Sequence, residues 1–413
     1  NDAAADGPPE GDERVDLRVE VWDIWSLVAS VQLAQVDDTT VWSAGVSDTN
    51  LLGWGKEVSV SHSVTLDRSA NRFWYRDPQL AGSRLRLTAA VADLSDGDVS
   101  SAEALNASKG VDGEISLSEA ITAANNSTET VTISFNITDP LVGGAHTLSI
   151  GAGGLPTITD AVIIDGTTDS DYAGDPVIRL DGSSAGAGVN GLSFAATSDG
   201  SVVRGLMITG FSGYGIHVDP GADGITIANN RIGTTGTGST DVGNNNSGIN
   251  IQGANTIVGG TGANDGNVIT NNGNEGINVT GNGATGTIIQ GNIIGLDPDG
   301  STGSGNADVG IALLSGSHNT IIGGTTVEAR NVISNNFEGI EINSNNNVVQ
   351  GNYIGTDITG ALDRGNRSDD GVEIKNNATG NLIGGTETGS GNLIAFNALN
   401  GVNLVNGSGN TVL

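Results

Sequence analysis

The segment Tyr214-Gly215-Ile216-His217-Val218-Asp219 sets a phenol, an imidazole and a carboxylate close together, and Arg204 lies a little upstream. Tyr214, His217 and Asp219 could divide the acid and base roles of an elimination or epimerisation on a uronic acid, with Arg204 neutralising the sugar carboxylate. The plainer reading is a lone surface histidine. A second set is acidic: Glu275, Glu338, Glu341, Asp370 and Glu373 recur at related places in the chain. Two carboxylates about 5–10 Å apart can act as acid and base on a glycosidic bond, whereas the competing reading is a solvated face. Asp165-Gly166-Thr167-Thr168-Asp169-Ser170-Asp171 gathers Asp165, Asp169 and Asp171 in a tight polar turn. Hard oxygen ligands of this kind suit Ca²⁺, although the spacing is not that of an EF-hand loop. Trp74 and Tyr75, flanked by Arg72 and Arg76, make an aromatic patch able to stack on sugar rings. In a small domain such aromatics more often serve the core. The remaining histidines, His62, His146 and His318, are scattered without metal-ligand spacing.

The elements that must position these groups are written in a repeat. Gly291-Asn292-Ile293-Ile294-Gly295 returns as Gly351-Asn352-Tyr353-Ile354-Gly355, with a weaker copy at Asn229-Asn230-Arg231-Ile232-Gly233. Each is followed by a Gly-Ile/Val pair (Gly248-Ile249, Gly310-Ile311, Gly371-Val372) and by an aliphatic pair closed with two glycines, as in Ile321-Ile322-Gly323-Gly324. Short strands punctuated by Gly and Asn at a fixed period of roughly 60 residues mark a solenoid. With coils of about 20–25 residues, each period is expected to hold three. Residues 130–413 are then about 12 or 13 coils, a rod of about 60 Å at the usual strand spacing. In Gly-Ile-x-Ile the isoleucines point inward and the x residues outward. Stacked, x gives the column His217, Asn250, Asn278, Ala312, Glu341, Glu373, Asn403, and the residue before each Gly gives Tyr214, Ser247, Glu275, Val309, Glu338, Asp370, Asn400. Asn suits the turns because it tolerates left-handed backbone, and stacked amides can form ladders.

Upstream, Ser116 and Glu119 predict a capping box opening a short helix whose Leu117, Ala120, Ile121 and Ala124 share a face. Such a helix would cover the open strand edges of the first coil. Residues 14–95 alternate with period two and hold all five Trp, which predicts a separate antiparallel, sandwich-like β domain. Residues 1–13 read as a disordered leader and residues 96–129 as linker plus capping helix. The fold class is therefore all-β: a right-handed parallel β-helix at 130–413, preceded by a small antiparallel β domain.

The stretch Ile115-Ser116-Leu117-Ser118-Glu119-Ala120-Ile121 resembles the N-terminal CSLREA cap motif, with Ile and Ser in place of its Cys and Arg. With Ile164-Asp165-Gly166-Thr167-Thr168 and Val203-Arg204-Gly205-Leu206-Met207-Ile208, the chain resembles bacterial right-handed β-helix repeat proteins. The resemblance spans about residues 112–413 and implies a secreted or cell-surface protein, often part of a larger chain. It brings no agreed catalytic residues, since enzymes and non-enzymes share that helix.

Composition narrows the partners. There is no cysteine, so disulfide and thiolate chemistry are excluded. The net charge of −31 disfavours nucleic acid and anionic lipid. No apolar run is long enough to insert in a bilayer. Two functions compete: a rigid stalk or adhesive surface contacting polysaccharide or cell-surface glycan, and a polysaccharide lyase or glycoside hydrolase. The chain opens without Met and stops inside a repeat at Gly409-Asn410-Thr411-Val412-Leu413, so a processed fragment with further domains beyond the C-terminus is expected.

Overall fold

The computed structural model describes residues 115–413, apart from 128 and 237–241, together with the backbone of six strands between residues 14 and 89. The leader, residues 96–114 of the linker and the side chains of all five tryptophans lie outside the described residues. The six strands (Arg14–Val19, Leu27–Val36, Thr39–Leu51, Lys56–Val64, Ser69–Asp77, Leu85–Ala89) pair antiparallel in chain order as one sheet. That is a meander; the second layer that a sandwich requires is not among the described residues.

From Ile115 onward the chain forms a second compact unit. Its strands return in rotation to three sheets. Sheet one runs from Val131–Ser134 to Thr411–Val412, sheet two from His146–Ser149 to Leu393–Ile394, and sheet three from Leu192–Phe194 to Val402–Leu404. Neighbouring strands within each sheet are parallel and sequential, for instance Ile216↔Ile249, Ile249↔Ile277 and Ile277↔Ile311 in sheet three. Parallel strands joined through other layers take right-handed crossovers, and the result is a right-handed parallel β-helix-like solenoid.

The coil count departs from expectation. Sheet three returns at Ile249, Ile277, Ile311, Ile340, Val372 and Val402, about 30 residues apart, so the 60-residue period holds two coils and not three. The longest sheet has ten strands, which makes the stack about 45 Å tall at the usual spacing. The discrepancy lies in the corners: segments such as 295–308, between Ile294 and Val309, lengthen each turn well beyond its strands.

Inside, Ile216, Ile249, Ile277, Ile311, Ile340 and Val372 are fully buried and stack coil upon coil. The glycine before each has a packing cause. A Cβ on Gly310 would sit 2.7 Å from the Gly339 carbonyl oxygen and from Ile333 Cγ2, and 2.9 Å from the Asn336 amide nitrogen. That amide belongs to a ladder. Asn244, Asn272, Asn306, Asn336, Asn366 and Asn397 each pass a side-chain hydrogen bond to the next at 2.8–3.3 Å. A second ladder links Asn230, Asn267, Asn292, Asn331, Asn352 and Asn392 at 2.9–3.2 Å. A third, Asn347–Asn381–Asn410, occupies the last coils, where Thr256, Thr287 and Thr320 stand in the earlier ones. Each interior amide also ties down backbone: Asn292 Nδ2 donates to the carbonyls of Val258 and Gln290. Burying an amide is costly unless all its groups are bonded, and here the stacking supplies the partners.

Ladder residues often follow a residue with left-handed backbone. Asn229, Asn271, Asn335 and Asn346 have φ of 55–64° and directly precede Asn230, Asn272, Asn336 and Asn347. The Asn-Asn pair thus divides two tasks: the first residue turns the chain and the second bonds the adjacent coils.

Helix α1 (Leu117–Asn125) closes the first coil. Glu119 N donates to Ser116 Oγ and Ser116 N donates to Glu119 Oε2, completing the expected capping box. Leu117, Ile121 and Ala124 join the same apolar cluster as Ile133 and Ile158. The Asn125 amide clamps the turn between coils by donating to the Thr157 carbonyl and accepting from Thr159 N.

Candidate functional site

The two columns read from the sequence run in register along sheet three, but not as one exposed stripe: His217, Asn278, Glu341, Glu373 and Asn403 are half-buried, whereas Asn250, Ala312 and the pre-glycine residues from Ser247 to Asp370 are buried. Register pairs His217 with Asn250, Asn250 with Asn278, Asn278 with Ala312, Ala312 with Glu341, Glu341 with Glu373 and Glu373 with Asn403. Beside them, the glycine N–H of each coil reaches the carbonyl of the next pre-glycine residue, as in Gly215 to Ser247, Gly248 to Glu275 and Gly339 to Asp370. The columns touch: the Tyr214 ring stacks on His217 with centroids 5.1 Å apart and planes 13° from parallel, and Asp370 accepts from Asn403 Nδ2 at 2.7 Å.

Tyr214, His217 and Asp219 are therefore brought together. His217 Nε2 lies 2.9 Å from Asp219 Oδ1 and Nδ1 lies 2.9 Å from Asn250 Nδ2. Both ring nitrogens are engaged, which orients the imidazole but leaves neither free for a substrate proton. Arg204 is not part of this group. It sits in sheet one, where its guanidinium pairs with Asp165. Burial works against the Asp165 carboxylate, yet Arg204 and Thr167 outweigh it and hold its pKa below the ordinary value.

The acidic residues do not form one constellation. Glu275 Oε2 accepts from Ser247 Oγ at 2.6 Å. Lys375 Nζ bridges Glu341 at 3.1 Å and Glu373 at 2.6 Å. Burial penalises the ammonium, but hydrogen bonds to Glu373 and Glu341 prevail and raise its pKa. Asp370 is satisfied by Asn400 N, Asn400 Nδ2 and Asn403 Nδ2. Glu338 stands apart. Burial pushes its pKa up to about 8; Lys375 opposes this, and the charges of Glu341, Glu373 and Asp369 reinforce it. Its Oε1 is sealed from solvent without a hydrogen-bond partner. Asp308, which sequence reasoning did not single out, is raised by burial and then by the charge of Glu275.

In the aspartate turn, Asp165 is drawn away to Arg204 and to Thr167, so the three-aspartate set does not assemble. Asp169 and Asp171 meet His146 instead. His146 Nε2 lies 3.1 Å from Asp171 Oδ2 and 3.7 Å from Asp169 Oδ1. One atom from each of the three falls within 4.8 Å of the others. His146 was missed because its partners are 23 and 25 residues away and come from the next coil; no local spacing announces that contact.

Trp74 and Tyr75 fall in the strand Ser69–Asp77, opposite Ser59 and Val58, and their side chains lie outside the described residues. A cavity of about 420 Å³ opens between corner loops, lined by Ser301, Thr302, Asn335, Asp363 and Arg364 among others, and contains neither the histidine group nor the acidic column. Among the described residues, no helix is long and apolar enough to cross a membrane. Scanned against protein-family models, the chain matches none, and comparisons with curated proteins and with solved structures find no match.

Proposed function

We propose that this chain is a secreted or cell-surface module in which the β-helix acts as a rigid stalk and the outer side of sheet three is an adhesive surface for glycans. The observation that carries this reading is the in-register column His217–Asn250–Asn278–Ala312–Glu341–Glu373–Asn403, in which His217, Asn278, Glu341, Glu373 and Asn403 keep part of their polar side chains at the surface while Asn250 and Ala312 are buried. Regularly spaced amide and carboxylate groups offer hydrogen bonds to the hydroxyls of an extended polysaccharide. The net charge of −31 favours neutral or cationic chains. Rigidity follows from the asparagine ladders, which bond each coil to the next. The CSLREA-like start of the solenoid supports a secreted origin, with further domains of the same polypeptide. The test is glycan-array binding of the full chain against a variant carrying Asn278→Ala, Glu341→Ala and Glu373→Ala. Retained folding with lost binding supports the adhesive surface, whereas absence of binding by the parent chain removes it and leaves a spacer.

A polysaccharide lyase or glycoside hydrolase is the competing reading. Glu338, protonated near neutral pH beside other carboxylates, is what favours it, because a general acid needs a raised pKa. The sealed Oε1 and the engaged imidazole of His217 weigh against it. Release of reducing ends or unsaturated sugars from a polysaccharide panel, abolished in Glu338→Gln or His217→Gln, would establish it.

A further inference from the structure

We propose that His146, Asp169 and Asp171 bind one divalent transition-metal ion that fastens the first strand of sheet two to the coil above it. The set mixes one imidazole nitrogen with two carboxylate oxygens. Imidazole selects metals such as zinc over the oxygen-seeking calcium expected of the aspartate turn. Ligand atoms about 2.0–2.2 Å from a tetrahedral ion lie roughly 3.3–3.6 Å apart. The contacts of 3.1 and 3.7 Å straddle that separation.

The donors are held for the purpose by different parts of the fold. His146 opens the strand His146–Ser149, at the edge of sheet two, and is buried at 6% exposure. Asp169 is buried at 3% exposure; its Oδ2 accepts from the Ile137 N–H, and its Oδ1 accepts from the Asp171 N–H while lying 3.7 Å from the imidazole Nε2. The Asp171 side chain is 43% exposed and would close the site from the solvent side. Among the described residues no Lys or Arg pairs with Asp169 or Asp171, although Asp165, Asp175 and Asp181 nearby each have an arginine. Two carboxylates thus converge on one imidazole nitrogen with none of the described Lys or Arg paired with them, and a divalent ion bound between the three would balance their charge. The pair His217–Asp219 provides an internal contrast: its imidazole also meets a carboxylate, at 2.9 Å, but among the described residues no third ligand joins them.

The full chain, stripped with chelator, should be titrated with ZnCl₂ by calorimetry and its thermal unfolding followed with and without the ion. One saturable equivalent and a raised melting temperature are expected, and Co²⁺ in place of zinc should give the visible absorption of a nitrogen- and oxygen-ligated site. Asp171→Asn, at an exposed position that leaves folding intact, should weaken zinc binding at least about tenfold, as should His146→Asn. His217→Gln should leave stoichiometry and affinity unchanged. Absence of a saturable equivalent overturns the proposal, as does an equivalent that survives Asp171→Asn. An equal thermal shift with CaCl₂ overturns the choice of metal.

Discussion

Glu338 is the carboxyl group, among the described residues, whose pKa burial raises most. Folding raises its pKa from 4.5 to about 8, so the folded chain keeps a proton that the unfolded chain releases between those values. Its contribution is fully present below about pH 4.5 and is lost as pH rises towards about 8, at a cost on the order of a few kcal/mol. Glu338→Gln keeps the shape without the titration. Its melting temperature should match the parent near pH 5 and exceed it near pH 9, which scanning calorimetry at both values checks. Phe396 offers a second residue-scale test. It has φ of 62° and precedes the ladder residue Asn397, a place taken by asparagine at 229, 271, 335 and 346. A bulky side chain in left-handed backbone costs about 1–2 kcal/mol, and Phe396 is half exposed. Phe396→Asn should therefore raise stability by about 1 kcal/mol, read from chemical denaturation. At this scale the sequence was informative about which residues stack in register, since alternation within a strand fixes that, but not about which of them reach solvent: Asn250, Glu338 and Asp370 are buried. It was silent on which acids would be paired: the distribution of Lys375 between Glu341 and Glu373, and of Arg204 to Asp165, depends on side-chain reach between coils.

The corners distinguish this solenoid at the level of elements. Asn292 makes bonds to the coils before and after it, accepting from Asn267 and donating to Asn331. Asn292→Ala would orphan both neighbours. A loss of about 2–4 kcal/mol is expected from leaving several buried polar groups unpaired, measurable as a lowered denaturation midpoint. The third ladder allows the opposite test. The hydroxyls of Thr256, Thr287 and Thr320 are buried without partners, where later coils place Asn347 and Asn381. Thr320 already donates its backbone N–H to Asn347 Oδ1. Thr320→Asn should extend the amide chain by one coil and stabilise by about 1 kcal/mol. The fold class, the capping box of α1 and the stacking of Gly-Ile-x-Ile were all legible, because each rests on local periodicity. The number of coils per period was not. Corner length leaves no periodic mark, and the 30-residue interval between Gly-Ile pairs was itself one full turn of the chain.

Over the whole molecule the dominant fact is charge. With 47 acidic and 16 basic side chains, mutual repulsion opposes compaction, and added salt screens it. The melting temperature of the full chain should rise between low salt and about 0.5 M NaCl, where the Debye length has shrunk well below 10 Å; a flat profile would mean that local pairing already cancels the field. The other molecular property follows from the two-coil period. Both long asparagine ladders advance by one rung per coil, whereas the corner between sheets two and three alternates between long, as at 295–308, and short, as at 334–337, so removing a single coil would set long corners against short ones. Lengthening or shortening by whole pairs of turns keeps each corner beside one of its own kind. A gene encoding this protein could thus change the reach of its product by duplicating or losing one 60-residue cassette, about 10 Å at a time, with every buried amide finding an equivalent neighbour on either side of the splice.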